Sequence, residues 1–476
     1  MLGGSLLAWY LASTIHSWYR LRHIPGPPLA GFSYFWLLFV SMTGREYDIF
    51  RSVGEKYGSL ARIGPHDLTT DDPAAGWYDG NRFNPYHATM FTLRDPLAHD
   101  RLKAKLSAGY TGRDLPGLEA DMDEQLNNMI ALIRSRYVIK PSSGTGSPPL
   151  DLARIIPLYT LDVISKIALG KEFGCLQADS DLYGFYEAVE GHLPQMSMTT
   201  NVPWIRNLFY SKLVLRFFGP KETDAVGSGR IMRIANEEVR RRFALDAEEK
   251  KDMVGSFIRH GLTQPECEVE ALLMFIAGSH TTASAMRLTL LYLLATPLAY
   301  QRLKNEIATA IRDGTVSCPI QNAEAKKLPY LQCTKGHECV LYRSDSSKEI
   351  PPSGDTINGI FVPGGVAIGM NMTSLLRSKS LFGQDVDVFR PERFLDIDEK
   401  ARADMRRHVD LTFGHGRWLC AGKTMAMMEL NKTYFELFRA FDFQVIFPEK
   451  PMTSSSHVLF IDKDLHVHAM ESGLGA

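Results

Sequence analysis

The sequence predicts a mainly α-helical chain with small β-sheets at its margins. Three observations carry this. Segments of helical apolar periodicity dominate: 115–138, 151–170, 222–244, 266–296, 297–312 and 423–440. Strand-like runs are few and short, and no internal repeat is present. The segment 266–296 contains no proline; at ~1.5 Å per residue it would reach on the order of 45 Å and cross the whole molecule.

In chain order, residues 2–19 (LGGSLLAWYLASTIHSWY) carry no Lys, Arg, Asp or Glu. That approaches the ~20 residues a bilayer span needs. Arg20 and Arg22 follow at once, with Trp18 and Tyr19 as interfacial anchors. This predicts a membrane anchor over 1–22 with the rest of the chain cytosolic; a buried helix is the competing reading. HIPGPP (23–28) reads as a stiff proline hinge, and FSYFWLLFVS (32–41) as an apolar segment at the membrane surface. The hinge unit therefore runs 23–44 and the folded domain 45–476. SLARIG (59–64), INGIFVPGG (357–365) with VAIGMN after it, DFQVIF (442–447) and HVLFI (456–460) are the expected strands. PSSGTGSPP (141–149) reads as a connector between helices.

Hydrophobic residues make up 45%, charged residues 22%, and the net charge is −1. With no basic arm and no zinc-finger spacing, this composition excludes a nucleic-acid binder. The RRR at 240–242 lies among acids and reads as a solvated helix face. Six scattered cysteines show no framework spacing, which suits a reducing compartment. Cys333, His337 and Cys339 stand close together but lack a fourth partner for a structural zinc site.

Two stretches carry local costs that packing alone does not explain. The first is AGSHTT (277–282), in the middle of the long segment that Thr263-Gln264-Pro265-Glu266 caps and Pro297 ends. Glycine inside a helix costs ~1 kcal/mol against alanine, and polar groups in a buried helix need partners. A small-residue contact with a crossing helix is the alternative. The second is FGHGRWLCAGK (413–423), where one cysteine sits in a glycine-rich loop directly before a helix. A buried thiol packed in a turn is the alternative there.

FGHGRWLCAGK resembles the haem-binding loop of the cytochromes P450, and AGSHTT resembles the oxygen-activation segment of their central helix. FRPERF (389–394), the proline hinge, LPYLQ (328–332), PPSGDTINGIFVPGG and MAMMELNK follow the same family in the same order, with a likeness to filamentous-fungal pisatin demethylases and benzoate hydroxylases. The resemblance covers nearly the whole chain. It implies the P450 fold, with the central helix over a haem whose axial ligand is Cys420. A thiolate is a strong donor that favours O–O cleavage, and the N-terminus of the helix from Lys423 should lower the thiol pKa. Gly414, Gly416 and Gly422 would let the loop lie close to the porphyrin. Phe413 would pack beside the cysteine, and Arg417, one place before Trp418, would be the loop's cation.

On the distal side the resemblance gives Gly278 to an O2 groove and Thr281 to a proton-delivering water. His280 stands where the family has an acid, and would relay protons. His99, Arg101 and Lys103 of DPLAHDRLKAK, and Lys348, would meet the haem propionates. Residues 85–97 and 186–210 would roof an apolar pocket. The implied reaction is monooxygenation of an apolar small molecule by O2, in fungal secondary metabolism at the endoplasmic reticulum membrane. Electrons would come from NADPH through a partner reductase, docking on Arg406, Arg407, Lys423 and Lys432. The sequons NMT (371–373) and NKT (431–433) would face the cytosol unused.

One departure stands out. After LPYLQ the family has Glu-x-x-Arg, which pairs with the arginine of PERF. Here His337 and Val340 occupy those places. Glu338 and Arg343 are five apart, roughly 140° around a helix, so they cannot substitute on one face. Either exons have been joined wrongly, which the intact flanks favour, or the pair is lost. Loss would strand Arg393 at ~3–5 kcal/mol and opens the alternative of a degenerate, non-catalytic membrane protein.

Overall fold

A computed structural model describes residues 2–71, 84–93, 95–139, 148–335 and 348–474. The central helix runs Gln264–Ala295 and begins where its cap dictates: the Thr263 amide donates to the Glu266 carboxylate at 2.8 Å, with Pro265 in the first turn. It stops because Pro297 opens the next helix, Pro297–Arg312, bent 106° away. Residues 271–276 and 282–287 are buried, so the helix is enclosed on all sides. It packs against Leu152–Leu169, Gly227–Arg242 and Lys423–Ala440. Gly278 makes the first of these contacts possible: a Cβ there would meet Ile164 Cγ1 at 2.8 Å. The glycine therefore serves the small-residue helix crossing.

Arg287, fully buried on the same helix, donates to the Ala153 and Asp462 carbonyls and lies 3.5 Å from the Asp462 carboxylate. It pins the core to the C-terminal hairpin. Removing one member of such a pair would leave an uncompensated buried charge.

The sheets are small and peripheral. Strand Leu60–Arg62 pairs with Asp67–Thr70, which runs parallel to Ala367–Met370 in the register Leu68 to Ile368; Lys348–Glu349 closes the edge. Leu150–Asp151, His466–Glu471 and Phe441–Val445 form a second sheet. INGIFVPGG is a hairpin rather than a strand, because Asn358 and Gly359 both take positive φ, the two-residue turn that joins 355–357 to 360–362. HVLFI likewise spans a turn: Thr453–His457 and Leu459–Lys463 are joined by Val458 alone at φ 63°.

The N-terminal segment is a helix, Leu2–Leu21, as expected in extent. Among the described residues, however, no single helix is long and apolar enough to cross a membrane. Gly3, Gly4, Ser5, Ser13, Thr14, His16 and Ser17 dilute this one. The proline segment after it is tied to the first sheet. Arg62 Nη2 donates to the carbonyls of Ser17 (3.0 Å), Gly31 (3.0 Å) and Pro65 (2.8 Å), while its amide donates to Pro25 O at 2.7 Å. The segment 32–41 folds as helix Phe35–Met42, which buries Leu37 and Val40 and exposes Phe35 and Phe39.

Candidate active site: the cysteine loop beneath the central helix

The glycine-rich loop folds on itself before the helix Lys423–Ala440. The Cys420 amide donates to Phe413 O at 2.6 Å and closes it. Gly414 has φ 75°, and a Cβ there would strike the Trp418 carbonyl at 2.7 Å, so only glycine fits. Gly416 is also left-handed, at φ 61°. Phe413 lies under the Lys423 ammonium, 5.3 Å from its ring centroid.

Cys420 faces an internal cavity with about 250 Å³ of space open to water-sized groups, walled chiefly by apolar side chains. The residue lies deep in the protein, and its accessible surface is part of the cavity wall. Burial pushes its thiol pKa up, and the amides of Gly422 and Lys423 with the ammoniums of Lys103 and Lys423 pull it back. The helix N-terminus therefore acts as expected, but the net direction is upward, because desolvation outweighs it.

Ala277, Gly278 and Thr281 of the central helix face the same cavity. The Thr281 hydroxyl donates to Ala277 O at 2.7 Å, which leaves its oxygen lone pairs to accept from a group in the cavity. His280 does not join it. One residue earlier, about 100° round the helix, its ring is fully buried 6.2 Å from that of Tyr186, and neither nitrogen has a partner. Burial first, and Arg287 second, push its pKa down to about 3, so it is neutral. Its place behind the helix wall departs from the proton relay expected beside Thr281.

The helix Pro96–Tyr110 explains which basic groups reach the site. His99 and Lys103 are four apart, hence on one face, and both line the cavity. Arg101, two residues from each, is turned to solvent, which corrects its assignment to a propionate. His99 packs against Trp418 with centroids 4.1 Å apart and the ring planes tilted by 53°, and Lys103 Nζ donates to Leu419 O at 3.0 Å. Arg417 turns outward and pairs with Asp100 at 3.0 Å, so its side chain is absent from the cavity wall. Lys348 lies in an edge strand opposite Ile368; its side chain falls outside the described residues, as do His337, Glu338, Cys339, Val340 and Arg343.

The expected roof is partly in place: Met90 and Phe91 from one segment and Met196 from the other line the cavity, joined by Leu459 from the hairpin. Sequence reasoning missed Glu429. It is buried on the cavity wall with Oε1 unpartnered, and burial raises its pKa well above the usual carboxyl range. The signal was present as one acid inside the apolar stripe Met425, Ala426, Leu430.

Arg393 is not stranded. It is buried, and its guanidinium donates to the Phe382, Asp385 and Val388 carbonyls and to Asp385 Oδ1 at 3.1 Å. Of the expected docking cations, Arg406 and Arg407 are exposed, Arg407 pairing with Asp404 at 3.1 Å, and Lys423 pairs with Asp410. Lys432 is fully buried between Glu119 and Asp123, so it cannot dock a partner. Both sequons are closed by the fold itself, since Asn371 and Asn431 are buried.

A thiol at the wall of an apolar slot, with His99 and Lys103 at one side, suits an iron porphyrin: a soft axial donor, non-polar faces and partners for carboxylates. The comparisons agree. The family model "Cytochrome P450" matches residues 103–468. "Cytochrome P450 monooxygenase aba1" of Botryotinia fuckeliana (strain B05.10) is 45% identical over 95% of this chain and 92% of its own length. "Cytochrome P450 monooxygenase abl1" of Leptosphaeria maculans is 42% identical over 96% and 84%, and "Cytochrome P450 monooxygenase ABA1" of Pyricularia oryzae (strain 70-15) is 40% identical over 96% and 94%. With the cysteine loop, the buried central helix and the cavity between them all in place, this chain belongs to the cytochrome P450 family and is a monooxygenase related to those of filamentous fungi.

Proposed function

We propose that this enzyme is a haem-thiolate monooxygenase that puts one oxygen atom from O2 into an apolar small molecule of fungal secondary metabolism. The observation that carries the reading is Cys420 at the wall of a largely apolar cavity it shares with Ala277 and Thr281. Cys420 would ligate the haem iron, with the Gly422 and Lys423 amides tempering its charge. His99 and Lys103 would meet the propionates. Bound haem would supply O2 activation, using electrons from NADPH delivered by a partner reductase. Thr281, its hydroxyl hydrogen bonded to Ala277 O, would accept from and hold a water, while the apolar walls exclude bulk solvent.

The exposed Trp9, Ile15, Trp18, Phe35 and Phe39 support attachment of the N-terminal region to the endoplasmic reticulum membrane, with the domain cytosolic. Arg406 and Arg407 remain the cations offered to the reductase. Metabolites that accumulate in a deletion strain, incubated with enzyme, reductase and NADPH, should give an NADPH- and O2-dependent product heavier by one oxygen atom. Folded enzyme that consumes no NADPH with every such extract would favour the degenerate reading instead.

A further inference from the structure

Val458 is a β-branched residue with φ 63°, a conformation that costs on the order of 1–3 kcal/mol and persists only where the surroundings enforce it. The group that holds its amide is Glu46. Its carboxylate, at the start of helix Glu46–Tyr57, is buried and accepts from the Val458 amide at 2.7 Å. The other oxygen accepts from Asn201 Nδ2 at 3.0 Å and from the Ser197 hydroxyl. One carboxylate thus joins the hairpin turn to the helix Phe185–Asn201. Each of these elements gives the cavity one side chain: Leu459, next to the strained residue, and Met196, next to Ser197. The two pack in one small cluster with Val458 and Leu193. The hairpin is further seated by Ser456 N on Gly44 O (2.8 Å) and Tyr47 N on Ser456 Oγ (2.9 Å).

We propose that Glu46 is a positioning residue for substrate selection: by clamping the left-handed Val458 turn to the Phe185–Asn201 helix it fixes Leu459 and Met196 as one wall of the substrate cavity. The inference rests on the monooxygenase reading of that cavity. All three of these partners donate in this arrangement, so a glutamine, with one acceptor oxygen and an NH2 group, keeps both sides only if Ser197 and Asn201 give up the donor roles they hold here.

The test uses full-length holoprotein and two probes that bind haem iron, imidazole and the larger 4-phenylimidazole, followed by the spectral shift each causes. Glu46→Gln should weaken 4-phenylimidazole binding about 5- to 10-fold and leave imidazole within about 2-fold. Val458→Gly lets the turn form without strain, so in that background the Glu46→Gln effect should shrink to about 2-fold or less. Asn201→Leu removes one donor from the clamp; it should shift 4-phenylimidazole about 2- to 3-fold and stands in if Glu46→Gln does not fold. Unchanged 4-phenylimidazole binding in Glu46→Gln, or in Asn201→Leu as its stand-in, overturns the clamp, as does an equal effect with and without Val458. Failure of the haem reading looks different: wild-type protein would then give no spectral shift with imidazole itself.

Discussion

Lys103 Nζ donates to the carbonyl of Leu419 at 3.0 Å, so a helix near the N-terminal third of the chain holds the residue directly before Cys420. The contact joins two motifs more than three hundred residues apart. Lys103→Met should loosen the cysteine loop, at about 1 kcal/mol for a partly exposed charge-assisted bond. It should also lower haem retention, read as the haem-to-protein absorbance ratio after gel filtration.

Arg101 supplies the matched control. It is two residues from Lys103 and faces solvent, so Arg101→Ala should leave haem retention at the wild-type level and stability within about 0.5 kcal/mol. Haem loss equal to that of Lys103→Met would contradict the assignment by helix face.

Gly278→Ala should destabilise by about 1–3 kcal/mol through overpacking, since the added Cβ lies 2.8 Å from Ile164 Cγ1. Ile164→Ala removes the clashing atoms, so the double variant should be more stable than the sum of the singles in thermal unfolding. Additive losses would mean that the glycine answers to something other than this crossing.

His280 gives a prediction in pH. Its folded pKa, near 3, is below the ordinary 6.5, so the unfolded chain binds the extra proton in that window. Its contribution to stability is present above pH 6.5 and falls as the pH drops toward 3. His280→Leu should flatten that loss in acid denaturation curves and, by removing two unpartnered buried nitrogens, add about 1 kcal/mol near neutrality. A clear loss of turnover at unchanged stability would restore the histidine as a proton relay.

Arg393→Met should be the most damaging of these changes, at about 3–5 kcal/mol, because removing the buried guanidinium leaves four acceptors without their donor at once. Asp385→Asn should cost about 1 kcal/mol or less, since that side chain is 39% exposed and the carbonyls remain. Comparable losses for both would mean that the carboxylate, not the carbonyl cage, holds the arginine.

Much of this architecture was legible because local signals were redundant. The central helix has a capping box, a proline stop and an unbroken apolar run, so its ends fall within two residues of expectation. Cys420, Gly414 and Thr281 stood out because glycine and polar groups carry local costs there, and the structure brings Cys420 and Thr281 to one cavity. What failed depended on direction. His280 and Thr281 are neighbours in sequence but point to different sides of one helix, and Arg101 and Lys103 differ in the same way. The Val458 turn had no sequence signal, as a β-branched residue argues against it. The Arg393 cage is built from main-chain carbonyls, which any sequence supplies.

The central claim is tested most directly by the carbon monoxide difference spectrum of the dithionite-reduced protein, taken for wild type and Cys420→Ser. The wild type should show the red-shifted Soret band of a thiolate-ligated haem, and Cys420→Ser should lose it. A serine variant that keeps that band, or a folded wild type that never forms it, would contradict the account.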